Sequence, residues 1–289
     1  VYVSGKVKGT EWLSIEVNGK FIGYSFSELY EEKEKWLARK KEPIGPIDGD
    51  NPEPEKPDFY GSGTGFFVTE TGYIVTNHHV THGCEYMLIN DEKLKVLRND
   101  VVNDLAVLKS KNKTSNYLHL SGKVTPRKGE DIFVIGYPFG KHASTESKVT
   151  RGIVSSLQGM GNNINQFQLD AAIQPGNSGG PVVNSKGSLL GVTVATADWE
   201  FYQENFKAIP QNVNFAIKSS LLENFLASYN IKYETGDNLA EMNQPDMIAA
   251  VDAATVYMEC WSTLERIEAA DRGVNVLVDT VRAEKKKGN

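Results

Sequence analysis

The sequence has few cysteines and no long apolar run, and both absences narrow what the chain can be. No stretch approaches the roughly 18 consecutive apolar residues that a membrane-spanning helix needs, so we expect no membrane span. Two cysteines, Cys84 and Cys260, are too few for a disulfide framework. Two free thiols are the favoured interpretation, and a single bridge is the alternative. The cysteine count does not decide the redox compartment.

Basic charge is also scarce. The formal net charge is -6, and the only dense basic run, Lys285 to Lys287, stands at the C-terminus, where a solvated tail is the simplest interpretation. We therefore expect no nucleic-acid partner. The chain begins at Val1 rather than Met and shows no signal peptide, so we expect upstream residues to be missing from it.

Four zones divide the sequence. Residues 1–28 alternate in the manner of strands around Asn18-Gly19, a strong hairpin turn. Residues 29–58 combine a charged, helix-permissive stretch with a proline-rich acidic linker. Residues 59–232 contain short β-branched and aromatic runs separated by turn residues, which predict an all-β barrel or sandwich rather than βαβ units. Residues 233–289 predict a helical C-terminal extension.

The prediction for this extension rests on an apolar stripe at helical spacing. Pro245 stands where a helix can begin, and the stripe that follows consists of Met247, Val251, Ala254, Met258 and Trp261. The pattern predicts one long amphipathic helix that ends near Gly273. We expect its apolar face to pack on the rest of the chain, with a partner or a second copy as alternatives.

The strongest chemical signal is the segment from Gln174 to Pro181, in which Ser178 stands among glycines. An ordinary turn is one interpretation. However, Gly176 and Gly179 let the backbone approach a substrate closely and adopt unusual dihedral angles. A tight bend here can aim the N–H groups of Gly176 and Ser178 at one point, where the oxygen of a tetrahedral intermediate would carry its charge. Ser178 is the candidate nucleophile, and the two amides are the candidate oxyanion hole.

A serine hydroxyl needs a base to take its proton, and histidine is the usual one. All five histidines precede Ser178, whereas the histidine of an α/β-hydrolase follows its serine, so the Gly-x-Ser-x-Gly match does not indicate that fold. The order His, Asp, Ser is typical of chymotrypsin-like barrels. His78 and His79 stand at the end of one predicted strand, and Asp104 stands at the start of another. From that position the carboxylate of Asp104 can orient an imidazole.

Six segments, in order, resemble trypsin-like serine proteases of the HtrA/DegP type. They are Gly61–Phe66, Gly72–Val80, Asn103–Leu108, Ile135–Gly140, Thr150–Ser155 and Asp170–Pro181. The resemblance covers residues 61–220 and implies a mainly β fold with two six-stranded antiparallel β-barrels and no cofactor. It selects His79 over His78 as the general base and Asp104 over Asp100 as its partner. The implied activity is a serine endopeptidase that acts on unfolded or misfolded proteins, in the periplasm or outside the cell.

The same resemblance predicts the substrate subsites. Relatives that cut after Lys or Arg carry Asp six residues before the nucleophile, where this chain has Ala172 followed by Ile173. An uncharged, small or aliphatic P1 residue is therefore predicted. The family pattern implies that Phe215 and Ile217 line the pocket, and that a strand pairs with substrate backbone through Val194, Ala195 and Thr196. Plain barrel core is the alternative for these residues.

Other features of the sequence limit the resemblance. Residues 1–28 resemble part of a bacterial SH3-like module, and the residues after Glu234 are too few for the PDZ domain usual in the family. PDZ-controlled activation is therefore not implied, while a homo-oligomer or an envelope partner stays open. The histidines near Cys84 match no structural zinc pattern, so we expect no metal. The alternatives to a peptidase are a catalytically silent binding or scaffold protein on the same fold, and an esterase.

Overall fold

The computed structural model describes residues 2–6, 12–17, 20–26, 55–120, 124–140, 144–196, 207, 212–236 and 242–271. For residues 2–26, 195 and 196 it describes the backbone alone. Most of the predicted linker over 29–58 lies outside these ranges.

The N-terminal residues form a separate three-stranded antiparallel sheet. Its strands are β1 (Tyr2–Lys6), β2 (Trp12–Val17) and β3 (Lys20–Phe26), in the order β1-β2-β3. Val17 pairs with Lys20, so the strands flank the Asn18-Gly19 dipeptide as the predicted hairpin requires. The dipeptide itself lies outside the described residues, and the SH3-like assignment stays a prediction.

The second unit begins with a seven-stranded antiparallel sheet in the order β7-β6-β16-β4-β5-β9-β8. Its strands are β4 (Asp58–Phe67), β5 (Tyr73–Thr76), β6 (Tyr86–Ile89), β7 (Glu92–Leu94), β8 (Val96–Asp100), β9 (Leu105–Lys109) and, from the C-terminal end, β16 (Thr255–Ser262). The β-branched and aromatic runs singled out in the sequence thus lie in strands.

The rest of this unit is a closed six-stranded barrel in the order β10-β11-β12-β15-β14-β13. The strands are β10 (Asp131–Gly136), β11 (Lys148–Ser156), β12 (Gln166–Leu169), β13 (Pro181–Asn184), β14 (Leu189–Thr196) and β15 (Asn214–Lys218). The prediction of a mainly β fold is confirmed. One predicted barrel is closed with six strands, whereas the other is the open seven-stranded sheet.

Short helices accompany the strands in the described part of the chain. They are α1 (His78–Thr81), α2 (Ser219–Ser228), α3 (Gln244–Ala254) and the turn Met160–Asn162. Residues 264–271 are also helical. No helix among the described residues is long and apolar enough to cross a membrane.

The predicted single long helix in the extension 233–289 is wrong. Helix α3 ends at Ala254, and residues 255–262 form β16, which is inserted between β4 and β6. The physical reason is that β4 and β6 each present an edge whose backbone groups need partners. Thr255-Val256-Tyr257 suits a strand, and pairing with two neighbours outweighs the helical spacing of Met258 and Trp261.

A disulfide joins Cys84 to Cys260, with their Cα atoms 5.3 Å apart. The favoured interpretation of two free thiols is therefore wrong. The bond is possible because β16 pairs with β6, which brings Cys260 close to Cys84, two residues before the start of β6 and 176 positions away in sequence.

The largest hydrophobic core combines both sheets with α3. Phe66 and Val75 of the open sheet, Phe133 of the barrel, and Met247 and Val251 of α3 belong to one buried cluster. Each such side chain contributes roughly 1.5–3 kcal/mol when fully buried. The C-terminal segment is thus an integral part of the fold that carries the site, not an appended tail.

Candidate active site

The structure brings His79 and Asp104 together. His79 lies in α1, directly after β5, and Asp104 lies directly before β9, the strand paired with β5. His79 Nδ1 is 2.7 Å from Asp104 Oδ2, and the His79 amide donates to Oδ1 at 2.9 Å. Asn77 Nδ2 donates to the Asp104 carbonyl at 2.9 Å. A carboxylate on Nδ1 favours the tautomer whose Nε2 is free to act as a base.

The neighbouring candidates have other partners. His78 Nδ1 lies 3.2 Å from Asn99 Nδ2, and its ring meets that of His82 edge-on at 5.3 Å. Burial, and then the proximity of His82, lower the pKa of His78 below 6.5, against the opposing effect of Asp104. The carboxylate of Asp100 accepts hydrogen bonds within its own loop. Among these residues, only His79 places its ring on the carboxylate of Asp104.

Ser178 stands in a turn that only glycine can build. Gly176 has φ +101° and Gly179 has φ +86°, values that side chains disfavour. A Cβ on Gly179 would also collide with Thr76 Oγ1 and the carbonyl of Thr64. The turn therefore packs tightly against the end of β5, the strand that leads into α1. None of the described residues accepts a hydrogen bond from the amide of Gly176 or Ser178.

The hydroxyl of Ser178 has a partner other than the imidazole. Ser178 Oγ donates to the carbonyl of Val194 at 2.8 Å, and within the described part of the chain no hydrogen bond joins it to His79. Val194 stands at an irregularity of β14, between the register positions of Thr193 and Ala195, which turns its carbonyl towards the nucleophile. The structure thus contains the hydrogen bond between His79 and Asp104, whereas the hydroxyl of Ser178 is bonded to Val194.

Thr64 links the parts of the site, and reasoning from the sequence missed it. Its amide donates to the Ser178 carbonyl at 2.9 Å, and its Oγ1 donates to the Gly176 carbonyl at 2.7 Å. Its own carbonyl accepts from Thr76 Oγ1 at 2.7 Å. Thr64 thus orients the carbonyls on both sides of the candidate oxyanion hole. The available signal was a threonine between Gly63 and Gly65, within the Gly61–Phe66 segment that resembles HtrA/DegP-type proteases.

The predicted subsite residues differ in exposure. Ala172 is exposed, Val194 is half-buried, and Ile173, Phe215 and Ile217 are buried with exposures of 4%, 6% and 1%. The side chains of residues 195 and 196 lie outside the described part of the structure. The nearest upstream acid, Asp170, accepts from the Ile153 amide. No group of three or more His, Cys, Asp or Glu in the described ranges could hold a metal ion.

Comparison with known proteins agrees with this geometry. Residues 63–192 match the family described as a trypsin-like peptidase domain. The chain is 36% identical over 212 residues to uncharacterized protein y4bJ of Sinorhizobium fredii, covering 72% of this chain and 33% of that protein. It is 37% identical over 159 residues to the "Probable periplasmic serine endoprotease DegP-like" of Chlamydia muridarum, covering 52% and 31%.

A crystal structure of the serine endoprotease from Yersinia pestis aligns with 58% of this chain and 57% of its own, at 30% identity and a TM-score of 0.46. The chain spans about a third of the length of the curated relatives that it matches. By the family match, residues 63–192 are a trypsin-like peptidase domain, and the relatives similar to this part of the chain include serine endoproteases of the HtrA/DegP type.

Proposed function

We propose that the protein is a serine endopeptidase that hydrolyses peptide bonds through an acyl-enzyme intermediate on Ser178. The observation that carries the proposal is the Asp104–His79 pair, with Nδ1 held at 2.7 Å, together with the Ser178 turn, which packs through Gly179 against Thr76 and Asn77, the residues that lead into α1. This arrangement supplies a base, a nucleophile and a site for the oxyanion, which are the three requirements of acyl transfer.

The proposed chemistry proceeds in two halves. Ser178 Oγ attacks the substrate carbonyl while His79 Nε2 takes the hydroxyl proton, and Asp104 stabilises the imidazolium. The carbonyl oxygen becomes the oxyanion and accepts from the Gly176 and Ser178 amides. The intermediate collapses as His79 returns the proton to the leaving amine. A water molecule then repeats the sequence on the acyl-enzyme, releasing the acid product and regenerating the Ser178 hydroxyl.

The first step requires the hydroxyl of Ser178 to leave the Val194 carbonyl. Rotation about χ1 exchanges one hydrogen bond for another, so the cost is small next to the barrier of peptide hydrolysis. Apo enzymes of this kind often have loose catalytic hydrogen bonds that tighten when substrate binds. The bond to Val194 is therefore compatible with the proposed role of Ser178.

The experiment uses a fluorescently labelled, chemically unfolded protein and a serine-reactive phosphonate. We expect cleavage that is lost in Ser178→Ala, together with a mass increase on the peptide that contains Ser178. Ser185→Ala, an exposed serine in the turn after β13, is the matched control and should cleave like the parent. Cleavage that persists in Ser178→Ala would contradict the proposal that Ser178 is the nucleophile.

The substrates are proposed to be unfolded polypeptides with a small or aliphatic P1 residue. Support comes from the absence of a carboxylate at Ala172, which is exposed, and from Asp170, which is engaged with the Ile153 amide. An extended substrate would pair with β14 beyond Val194, which makes binding tolerant of sequence. Peptides with Val or Ala at P1 should have kcat/KM about tenfold or more above those with Lys. Ala172→Asp should narrow or reverse this ratio.

A catalytically silent protease-fold scaffold is the second candidate. It is favoured by one observation, the engagement of Ser178 Oγ with Val194 instead of His79. The two candidates differ in the phosphonate experiment, since a scaffold would leave Ser178 unlabelled at every pH while still binding unfolded protein. An esterase on the same fold would be labelled at Ser178 but would cleave only activated esters.

We also propose that the protein works in an oxidising compartment, the periplasm or the extracellular space. The Cys84–Cys260 disulfide supports this, because such bonds persist mainly in those compartments. The Chlamydia muridarum relative carries the word periplasmic in its name. Alkylation of thiols in intact cells that export the chain should find both cysteines blocked. Free thiols under those conditions would count against this placement.

A further inference from the structure

The C-terminal segment contacts the residues that directly follow the helix carrying His79. Besides the disulfide at Cys84, the Glu85 amide donates to the Trp261 carbonyl at 2.9 Å. Ser262 Oγ donates to the Gly83 carbonyl at 2.6 Å, and Arg266 Nε donates to the Cys84 carbonyl at 3.3 Å. One covalent bond and three hydrogen bonds thus fall on three consecutive residues.

His82, which precedes this contact, and Gly83, which belongs to it, have further contacts with the C-terminal residues. His82 Nε2 lies 3.2 Å from Asp271 Oδ1, and the side chain of Ile267 packs over Gly83 so closely that a Cβ there would be 2.8 Å from Ile267 Cδ1. We call the contacting groups of Cys260, Ser262 and Arg266 the C-terminal brace. The brace is part of β16 and the helical residues after it.

Helix α1 needs external support, which makes the brace relevant to His79. The helix has only four residues, and its N-cap, Asn77, makes no side-chain capping bond. A single helical turn is unstable on its own because nucleation costs more than one turn recovers. The orientation of His79 therefore depends on its own bonds to Asp104 and on what holds the two ends of α1. The Asp104 region holds one end, through Asn77, and the brace holds the other.

The same strand also supports the nucleophile. β16 pairs with β4 over its whole length, and Tyr257 is opposite Thr64 in the register. Thr64 in turn fixes the carbonyls of Gly176 and Ser178. One C-terminal strand thus contacts the residues after the helix that carries His79 and, through β4 and Thr64, supports the turn that contains Gly176 and Ser178.

We propose that β16 and the Cys84–Cys260 disulfide are positioning elements of the catalytic site, so that reduction of this one bond lowers turnover while the protein stays folded. Cys260, Ser262 and Arg266 are positioning residues that act through residues 83–85 on His79. The inference rests on the proposed peptidase activity and adds a redox dependence to it. Reduction by a dithiol gives two cysteine thiols and the oxidised cyclic disulfide of the reagent, which balances the reaction.

The experiment compares the full chain before and after treatment with dithiothreitol at a temperature well below unfolding. Alkylation and mass spectrometry establish that two thiols have formed, and phosphonate titration counts competent sites. We expect kcat to fall about tenfold with KM little changed, since a small misplacement of a base is costly. The acidic limb of the kcat/KM profile should also shift, because it reports the environment of the base.

Two sets of variants separate positioning from stability. Cys84→Ala/Cys260→Ala should show the lowered kcat in both redox states. Ser262→Ala should lower kcat in the same direction, whereas Ser228→Ala, which removes a hydroxyl bond to the Phe225 carbonyl in α2, should not. A purely structural bond would lower the unfolding midpoint and leave kcat per titrated site and the pH profile as they were.

The outcomes distinguish the two proposals. If the untreated protein neither cleaves nor reacts with the phosphonate, the peptidase assignment fails. If it cleaves but keeps its kcat and pH profile after verified reduction, only the positioning proposal is overturned.

Discussion

The site shows how a few residues fix the state of one imidazole. Asp104 has φ +54°, an uncommon backbone value for a residue other than glycine, and it makes two contacts with His79. Such conformations persist where the surroundings enforce them. Asn77 supplies part of that enforcement through its bond to the Asp104 carbonyl. The carboxylate is therefore held in place before any substrate arrives.

Replacement of Asp104 by Asn should reduce kcat by about 10³- to 10⁴-fold, because the amide no longer stabilises the imidazolium and can favour the wrong tautomer. The measurement is single-turnover cleavage of the unfolded protein substrate. Asp100→Asn is the matched control, since its carboxylate accepts from the Val102 and Asn103 amides instead. A similar loss in both variants would mean that the loop, not the carboxylate on His79, is responsible.

His78 should make the protein sensitive to acid. Its pKa is lowered below 6.5, first by burial and then by His82, so the native state binds a proton less readily than the unfolded chain does. Stability is therefore lost as the pH falls through 6.5 and levels off below the folded pKa. The other charged groups that face His78 are His79, Asp104 and Asp100, and the two carboxylates oppose the shift.

The test is the free energy of unfolding in urea, measured from pH 8 to pH 5.5. His78→Gln cannot titrate but retains an acceptor for the Asn99 amide, so its stability should fall less steeply below pH 6.5. Parallel curves for the two proteins would contradict the assignment of this effect to His78.

At the level of elements, the sequence predicted most strands and the pairing of His79 with Asp104, but it did not predict the C-terminal strand. The runs that form β5, β10 and β14 are short and rich in β-branched residues, so local preference and final structure agree. The helical spacing of apolar residues runs through residues 244–262, but only its first part forms a helix. Met247, Val251 and Ala254 are buried on one face of α3, whereas Met258 and Trp261 lie in β16. The choice at Thr255 is made by partners distant in sequence, which local spacing does not report.

The position of the serine hydroxyl was equally beyond the sequence. Its partner, the carbonyl of Val194, depends on an irregularity in β14 and not on a side chain. The role of Thr64 depends on backbone groups of Gly176 and Ser178 in the same way. Residue types predict which groups can react, whereas the register of neighbouring strands decides which backbone groups meet them.

Helix α3 should contribute to stability through its buried face. Met247 is fully buried in the largest core cluster, so Met247→Ala should lower the free energy of unfolding by about 2–5 kcal/mol. Met242, just before the helix, is 45% exposed and provides the same substitution without a cavity. Met242→Ala should change stability by no more than about 0.5 kcal/mol. Equal effects in a urea titration would show that α3 does not pack as described.

On the scale of the whole molecule, the last described strand, β16, completes the open sheet. β16 is an inner strand of the open sheet, α3 fills the core beside the barrel, and the disulfide joins residues 176 positions apart. Such a fold cannot be completed until its C-terminal part has been added. Contacts between residues so far apart in sequence form slowly, because the chain loses the conformational entropy of loop closure before these contacts stabilise it.

Reduction of the disulfide should therefore act on the unfolded chain as well as on the site. A cross-link over so long a loop restricts the unfolded ensemble, and its loss should lower the free energy of unfolding by about 3–5 kcal/mol. The unfolded chain also expands and exposes more surface, so the urea m-value should rise as the midpoint falls. Cys84→Ala/Cys260→Ala should reproduce both values with and without dithiothreitol. A lower midpoint at constant m-value would instead place the effect in the folded state, where the bond would act by packing alone.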